Sequence, residues 1–129
     1  MYRELFLQAQ AVREYAYAPY SHFRVGAALL TKEGVMYTGV NIENSSYPAG
    51  LCAERAAFAS AISQGEKEFS AIAICGDADV CWPCGMCRQF MYEFAPDLTV
   101  VTGSDPDHLE IMDLSELLPN GFKLERTDI

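Results

Sequence analysis

Three cysteines at the starts of two predicted helices constrain the fold of this chain more than any other feature. Cys84 and Cys87 stand in the segment Pro83-Cys84-Gly85-Met86-Cys87, and Cys52 begins a predicted helix upstream. Residues i and i+3 share one face of a helix, so the sulfur atoms of Cys84 and Cys87 can reach one ion. If Cys52 binds the same ion, the fold must bring two helix N-termini together.

The cysteine set is typical of a catalytic metal site. A helix N-terminus carries partial positive charge, which lowers the pKa of a thiol and favours the thiolate that a metal needs. Three thiolates leave one tetrahedral zinc position open, whereas structural zinc sites are closed by four protein ligands. Glu54 can approach this position only from an unwound first helical turn, and it would then move protons of a bound water rather than bind the metal.

A basic side chain is expected beside the sulfur atoms. Three thiolates on one Zn²⁺ give a net charge of minus one, which makes a bound water less acidic. We expect Arg55 to hydrogen-bond the cysteine sulfurs and withdraw charge from them, and Arg88 is a weaker candidate for the same role.

Two other classes of protein use a CxxC pair. A zinc ribbon would need a fourth ligand, which Cys81 offers, although we place Cys81 in the loop or strand end before the helix that Pro83 starts. A dithiol oxidoreductase would form a Cys84–Cys87 disulfide without metal. Cys75 lies in an apolar run and is interpreted as a core residue.

The hydrophobic pattern predicts alternating helices and strands. The expected elements are a helix over 2–17, strands over 25–31 and 35–40 around a turn at 32–34, a helix over 52–64, a strand over 70–75, a helix from Pro83 to about 94, strands over 98–102 and 110–114, and a helical turn over 115–118. This order predicts an α/β fold in which helices cover the faces of a mixed sheet.

Length and charge narrow the class of ligand. The 129 residues suit one domain over 1–129. The net charge of −9 disfavours a nucleic acid polymer, because polyanion binding needs a basic patch. With neither an apolar run that spans a bilayer nor the layout of a signal peptide, we expect a cytoplasmic protein with no membrane partner and a small, roughly neutral ligand.

Asn41 and Glu43 form a candidate sugar-binding pair. They are i and i+2 in an extended stretch, so their side chains point to the same side. An amide and a carboxylate together suit a sugar hydroxyl, and the carboxylate would repel a phosphate, which favours a nucleoside over a nucleotide. On these residues alone, a solvated strand end remains equally open, and Phe23 alone is more often a core aromatic than a stacking surface.

The motifs together resemble a known family. The segment Cys52-Ala53-Glu54-Arg55, followed by Pro83-Cys84-Gly85-Met86-Cys87-Arg88-Gln89, is similar to the zinc signature of cytidine deaminases. The resemblance runs from about residue 12 to 122 and includes the segments 18–23, 25–30, 41–44 and 117–122. Trp82 and Met86 depart from it, because the family usually has a small residue and often alanine there, and the tail Lys123–Ile129 departs as well.

The resemblance implies a three-layer α/β/α cytidine deaminase-like fold with a mixed, about five-stranded sheet. It implies hydrolytic deamination of cytidine or deoxycytidine to uridine or deoxyuridine plus ammonia, in a homotetramer. A relative of blasticidin S deaminase shares the zinc signature, but the intact segment 41–44 favours a simple nucleoside. The implied site consists of Zn²⁺ on Cys52, Cys84 and Cys87, Glu54 as proton shuttle, Phe23 stacked on the pyrimidine, Asn41 and Glu43 on the sugar, the backbone N–H of Ala53 on the base carbonyl, and Phe122 reaching into the neighbouring subunit's pocket.

Overall fold

Four α-helices and five strands make up the described part of the chain. The computed structural model describes residues 1–124, so the end of the divergent tail, 125–129, lies outside the described residues. The longest helices have 11 residues, and no helix within 1–124 is long and apolar enough to cross a membrane. The elements in chain order are α1 (Tyr2–Val12), β1 (Val25–Thr31), β2 (Met36–Val40), α2 (Ala53–Ser63), β3 (Phe69–Gly76), α3 (Gly85–Phe94), β4 (Thr99–Asp105), β5 (His108–Asp113) and α4 (Leu114–Leu117), with short 3₁₀ turns at Arg13–Tyr15 and Tyr47–Ala49.

The five strands form one mixed sheet in the order β2-β1-β3-β4-β5. Strands β3 and β4 are parallel, and helix α3 lies in the crossover between them, as a parallel connection requires. The other neighbouring pairs are antiparallel. The predicted mixed α/β fold is therefore confirmed.

Each face of the sheet carries its own apolar core. Along β1, Ala27 and Leu29 pack into one cluster while Ala28 and Leu30 pack into the other, because successive strand side chains point to opposite faces. Helix α1 covers the second face, and helices α2 and α3 cover the first. The three layers implied by the resemblance are present. The helices contribute Leu5, Phe6 and Ala9 on one face, and Ala53, Ala57, Phe58, Ala61, Met91 and Leu114 on the other.

Helix α2 rests directly on the backbone of β2. A Cβ atom added at Gly39 would lie 2.3 Å from the Ala57 nitrogen and 2.6 Å from the Ala53 oxygen. Helix α1 approaches β1 in the same way, because a Cβ at Gly26 would lie 2.1 Å from the Ala9 oxygen. In the contact at Gly39, the backbone of β2 meets the backbone of α2 directly. Strand β2 therefore sets the position of the N-terminus of α2.

The first helix is shorter than predicted. The pattern predicts a helix over 2–17, but α1 ends at Val12, a 3₁₀ turn follows, and Ala16 is extended. The N–H of Tyr17 donates to the Asn41 oxygen at 3.0 Å, in a short bridge beside β2. This long-range hydrogen bond competes with the helical one, and local periodicity does not reveal it.

The prediction that Pro83 opens the third helix is wrong by two residues. Helix α3 begins at Gly85, and Cys84 is its N-cap, with extended backbone angles of φ −67° and ψ 167°. The extended backbone of Cys84 separates Pro83 from the helix, so the proline precedes the first turn instead of starting it. Cys84 therefore lies at the N-terminus of α3, just before its first turn.

Candidate active site

The sulfur atoms of Cys52, Cys84 and Cys87 lie within 4.8 Å of one another. Cys52 is the N-cap of α2 and Cys84 the N-cap of α3, so two helix N-termini meet at the cluster. Thiolates bound to tetrahedral zinc at about 2.3 Å lie about 3.8 Å apart, which this spacing fits. The three thiols therefore form a donor set suited to Zn²⁺.

The cluster stabilises thiolate charge. The pKa of the Cys52 thiol is lowered because the Cys87 thiol donates a hydrogen bond to it and Arg55 lies beside it. The pKa of Cys87 is raised by the same hydrogen bond and by burial, so Cys52 ionises first. The positive ends of two helix dipoles add to this stabilisation. A cation at the cluster would replace the shared proton.

Cys81 does not join this group among residues 1–124. Its sulfur packs against the end of β3, where a Cβ at Gly76 would lie 3.0 Å from it. Burial, and then the charge of Glu54, raise the pKa of the Cys81 thiol to about 11, which disfavours the thiolate. The described residues thus supply three thiol ligands, and the four-thiolate set of a zinc ribbon is not formed.

Cys75 is buried, as expected for a core residue. Its sulfur accepts a hydrogen bond from Arg13 Nη1 at 3.3 Å, and the same nitrogen donates to the Gly76 oxygen at 2.7 Å. Arg13 therefore ties the start of the chain to the end of β3, outside the sulfur cluster.

Glu54 is buried beside the cluster, with 5% of its surface exposed. It is the second residue of α2, and the extended N-cap Cys52 lets both side chains approach the same point despite their i, i+2 spacing. Burial, and further along the charge of Cys52, raise the pKa of the Glu54 carboxyl above its usual value. A carboxyl with a raised pKa accepts a proton more readily than an ordinary carboxyl, which suits a group that transfers protons.

Arg55 lies where the sequence places it, and Arg88 does not. Arg55 Nη2 is 3.7 Å from Cys52 Sγ and 3.5 Å from the Gly50 oxygen. Arg88 instead donates to the backbone oxygens of Pro83 and Leu117, both at 2.7 Å. The expectation that Arg88 reaches the sulfurs is wrong, because these two carbonyls hold its guanidinium and tie the loop before α3 to α4.

A cavity of about 680 Å³ opens on the cluster. Its wall contains metal-site residues, among them Cys52, Glu54 and Cys84, and also Asn41 and Glu43 from the segment after β2. Ala53, the first residue of α2, lines it too, and the N–H of a first-turn residue has no acceptor within the helix. The cavity therefore joins the candidate metal site to the candidate sugar site.

Asn41 is fixed by the backbone of the segment before β1. Its Oδ1 accepts the Val25 N–H at 2.9 Å, and its Nδ2 donates to the Phe23 oxygen at 2.8 Å. These partners also define which end of the amide is which. One N–H of Asn41 remains for a ligand.

Glu43 is held by the same segment of chain. Its Oε1 accepts the N–H groups of Tyr20 at 3.0 Å and Ser21 at 3.2 Å, and its Oε2 accepts the Ser21 hydroxyl. The Ser21 hydrogen bonds lower the pKa of the Glu43 carboxyl, with the hydroxyl contributing most. Glu43 is thus an anchored carboxylate rather than a freely solvated strand end.

Two predicted contact residues, Phe23 and Phe122, do not line the cavity in the described chain. The far end of the Phe23 ring lies 3.1 Å from the position of a Cβ at Gly76. Phe122 is 65% exposed, and Gln89 holds its backbone by donating to its oxygen at 2.6 Å and accepting its N–H at 3.4 Å. Their roles toward a substrate remain predictions.

Several residues line the cavity without having been predicted as contact residues, among them Tyr20, Ser21, Tyr47 and Trp82. The sequence offered one reason to expect Trp82 near the site, because it departs from the family pattern beside the metal loop. Tyr20 and Ser21 stood out only as part of the segment that ends the first helix. Met86, the other departure, is 67% exposed and does not line the cavity.

Comparison with known proteins places the chain among deaminases. The model of the cytidine and deoxycytidylate deaminase zinc-binding region matches residues 1–103. A cytidine deaminase of Halalkalibacterium halodurans is 46% identical over 123 residues, which cover 94% of this chain and 93% of that protein. The crystal structure of cytidine deaminase from Burkholderia pseudomallei matches with a TM-score of 0.90 and 44% identity, covering 95% of this chain and 99% of that one.

A blasticidin-S deaminase of Bacillus cereus matches less of the chain. It is 37% identical over 86 residues, which cover 60% of this chain and 61% of that protein. The comparison thus favours the cytidine deaminases over the alternative raised by the shared zinc signature.

We predict one zinc ion per chain, bound by the three cysteines. Cys84→Ala should lose the metal, because two thiolates and an exposed loop hold it less tightly. Metal analysis of purified protein measures the stoichiometry, and Cys75→Ala is the matched control that should keep zinc. A wild-type protein without zinc, or with an iron–sulfur chromophore, would contradict the assignment.

Proposed function

Because the chain belongs to the cytidine and deoxycytidylate deaminase family, we propose that it is a zinc-dependent cytidine deaminase. It converts cytidine or deoxycytidine and water into uridine or deoxyuridine and ammonia. The observation that carries the proposal is the buried Glu54, which lies beside three clustered thiols in a cavity that also contains Asn41 and Glu43.

Cys52, Cys84 and Cys87 would hold the metal. Bound zinc supplies a Lewis acid that lowers the pKa of a water molecule in the open position. Arg55, at 3.7 Å from Cys52 Sγ, draws charge from the thiolates and so keeps the site from becoming too electron-rich.

Glu54 moves the protons of the reaction. Its carboxylate takes a proton from the water and delivers it to N3 of the base as oxygen adds at C4. It then takes the second proton of that water from the hydroxyl now at C4 and gives it to the amino group, which leaves as ammonia as the C4 carbonyl forms. A buried carboxyl with a raised pKa suits both directions of transfer, because burial makes it accept a proton more readily than an exposed carboxyl does.

The remaining cavity residues orient the nucleoside. The backbone N–H of Ala53 binds the base carbonyl, while Asn41 and Glu43 bind the sugar. Phe23 provides the stacking surface for the pyrimidine, from a position next to the cavity wall. The anchored, ionised Glu43 disfavours a phosphate on the sugar, in keeping with the net charge of −9.

The biological setting follows from the same chemistry. Conversion of a free pyrimidine nucleoside into uridine is the chemistry of pyrimidine salvage, and we assign the protein that role. Cysteines that serve as metal ligands rather than in disulfides are typical of a reducing compartment, which supports a cytoplasmic location.

Glu54→Gln should keep the zinc and the fold but lose nearly all turnover. The amide cannot carry the proton, and general acid–base groups typically supply about 10²–10⁴-fold in rate. Ultraviolet absorbance follows the conversion of cytidine to uridine, and metal analysis checks the site. Glu33→Gln, in the exposed turn between β1 and β2, is the matched control. Activity of Glu54→Gln within tenfold of wild type would remove the residue from the mechanism.

Cytidine should be a far better substrate than cytidine 5′-monophosphate or single-stranded DNA. The Glu43 carboxylate and the acidic chain repel phosphate, so the cost should appear mainly as a raised KM. Steady-state kinetics with the three substrates measures it, and raised ionic strength should narrow the gap. Equal kcat/KM for the nucleoside and its monophosphate would contradict the nucleoside assignment.

We propose further that the chain works as a homotetramer with closed symmetry. Phe122 is an exposed aromatic whose backbone is fixed by Gln89, so its ring is presented outward from a defined position. The cavity of one chain lacks this ring, and a neighbouring chain would supply it to cover the base.

Mixing two inactive variants tests this assembly. In a hybrid of Glu54→Gln and Phe122→Ala chains, some sites combine an intact Glu54 with an intact Phe122 from the neighbour, and activity should return. Co-refolding the two variants and measuring turnover, with sedimentation to give the subunit number, provides the readout. Full activity of Phe122→Ala, or an active monomer, would contradict the proposal.

A further inference from the structure

The Glu43 carboxylate has nearly all of its acceptor capacity in use. An ionised carboxylate offers about four lone-pair sites, two on each oxygen. The N–H groups of Tyr20 and Ser21 occupy both sites on Oε1, and the Ser21 hydroxyl occupies one on Oε2. One site on Oε2 remains, which suits a single hydroxyl donor from a ligand.

The Ser21 hydroxyl also orders the backbone next to it. Its oxygen accepts the N–H of Phe23 at 3.1 Å while its proton is donated to Glu43. A chain of hydrogen bonds therefore runs from the Phe23 backbone through Ser21 to the carboxylate. It connects the residue proposed to stack on the base with the residue proposed to bind the sugar.

The backbone between these two anchors is strained. His22 has a φ of 59°, in the left-handed region that residues other than glycine seldom adopt. Such a conformation persists only where the surroundings impose it, and it is concentrated at functional sites. Here Ser21 on one side and Phe23 on the other are both held by hydrogen bonds.

We propose that Ser21 is a positioning residue for the nucleoside sugar: its hydroxyl orients the Glu43 carboxylate and leaves one lone pair for one sugar hydroxyl. This assignment rests on the proposed cytidine deaminase function. Without the serine hydroxyl, Oε2 has two open sites and the carboxylate turns about its remaining backbone contacts. The protein then distinguishes less well between a sugar that carries the hydroxyl and one that lacks it.

The test compares cytidine with 2′,3′-dideoxycytidine, whose sugar lacks both ring hydroxyls. The measured quantity is the ratio of the two kcat/KM values. Ser21→Ala should lower this ratio about tenfold, the size expected for a hydrogen bond to a charged group, mainly through the KM of cytidine. Ser21→Thr keeps the hydroxyl and should restore the ratio.

Two controls separate positioning from loop stability. Ser45→Ala removes another serine hydroxyl that bonds this loop, at 2.8 Å from the Tyr20 hydroxyl, and should leave the ratio unchanged. In a Glu43→Gln background, Ser21→Ala should have little further effect on the ratio, because the two residues act through one interaction.

A ratio for Ser21→Ala within twofold of wild type would overturn the inference, even if the variant unfolds at lower temperature. If Ser21→Ala does not fold, Ser21→Cys keeps the size with a much weaker donor, and an unchanged ratio there is equally contradictory. Wild-type protein that does not deaminate cytidine contradicts the proposed function, and with it the premise of the inference. Wild-type turnover with no effect at Ser21 contradicts the inference alone.

Discussion

Three sulfur atoms that would repel one another as thiolates lie within 4.8 Å, and much of the molecule serves to hold them there. The two helices that carry them point their positive ends at the same place, and Arg55 adds a full positive charge. The cluster needs both helices, because Cys52 is the N-cap of α2 while Cys84 and Cys87 belong to the N-terminal end of α3. Both helices pack on the same face of the sheet, and the apolar core on that face fixes the position of α2 relative to α3.

Two carboxylates in one cavity have opposite surroundings and correspondingly different tasks. Glu54 is buried, and its pKa is raised above that of an ordinary carboxyl. Glu43 is surrounded by donors, and its pKa is lowered. The first can therefore change its protonation state during a reaction, while the second remains charged and fixed in direction. The two residues are of the same type, and their different surroundings suit Glu54 to proton transfer and Glu43 to substrate orientation. Other enzymes with paired acids divide the tasks in the same way.

Local pattern was sufficient for the strands, because each depends on a short apolar run, whereas the metal-ligand set required the cysteine spacing together with the resemblance to a known family. The bounds of β1 were predicted to the residue, and the spacing of Cys84 and Cys87 with Cys52 indicated one cluster. Two of the differences arose where distant segments meet. The first helix ends early because Tyr17 bonds the segment after β2, and the donors to Glu43 lie in a stretch that local reasoning used only as a helix terminator. Such contacts depend on the assembled tertiary structure, which single-segment periodicity does not encode.

The contact at Gly39 has a consequence for how such a chain can diverge. A helix that rests on side chains can drift by fractions of an ångström as those side chains are exchanged over generations. At Gly39 no side chain separates α2 from the strand, because a Cβ there would lie 2.3 Å from the backbone of Ala57. The sheet thus acts as a fixed reference for the metal-bearing end of α2. Because the contact involves backbone atoms of both elements, exchange of a side chain elsewhere leaves it in place, whereas any side chain at residue 39 would push the metal-bearing end of α2 away from the sheet.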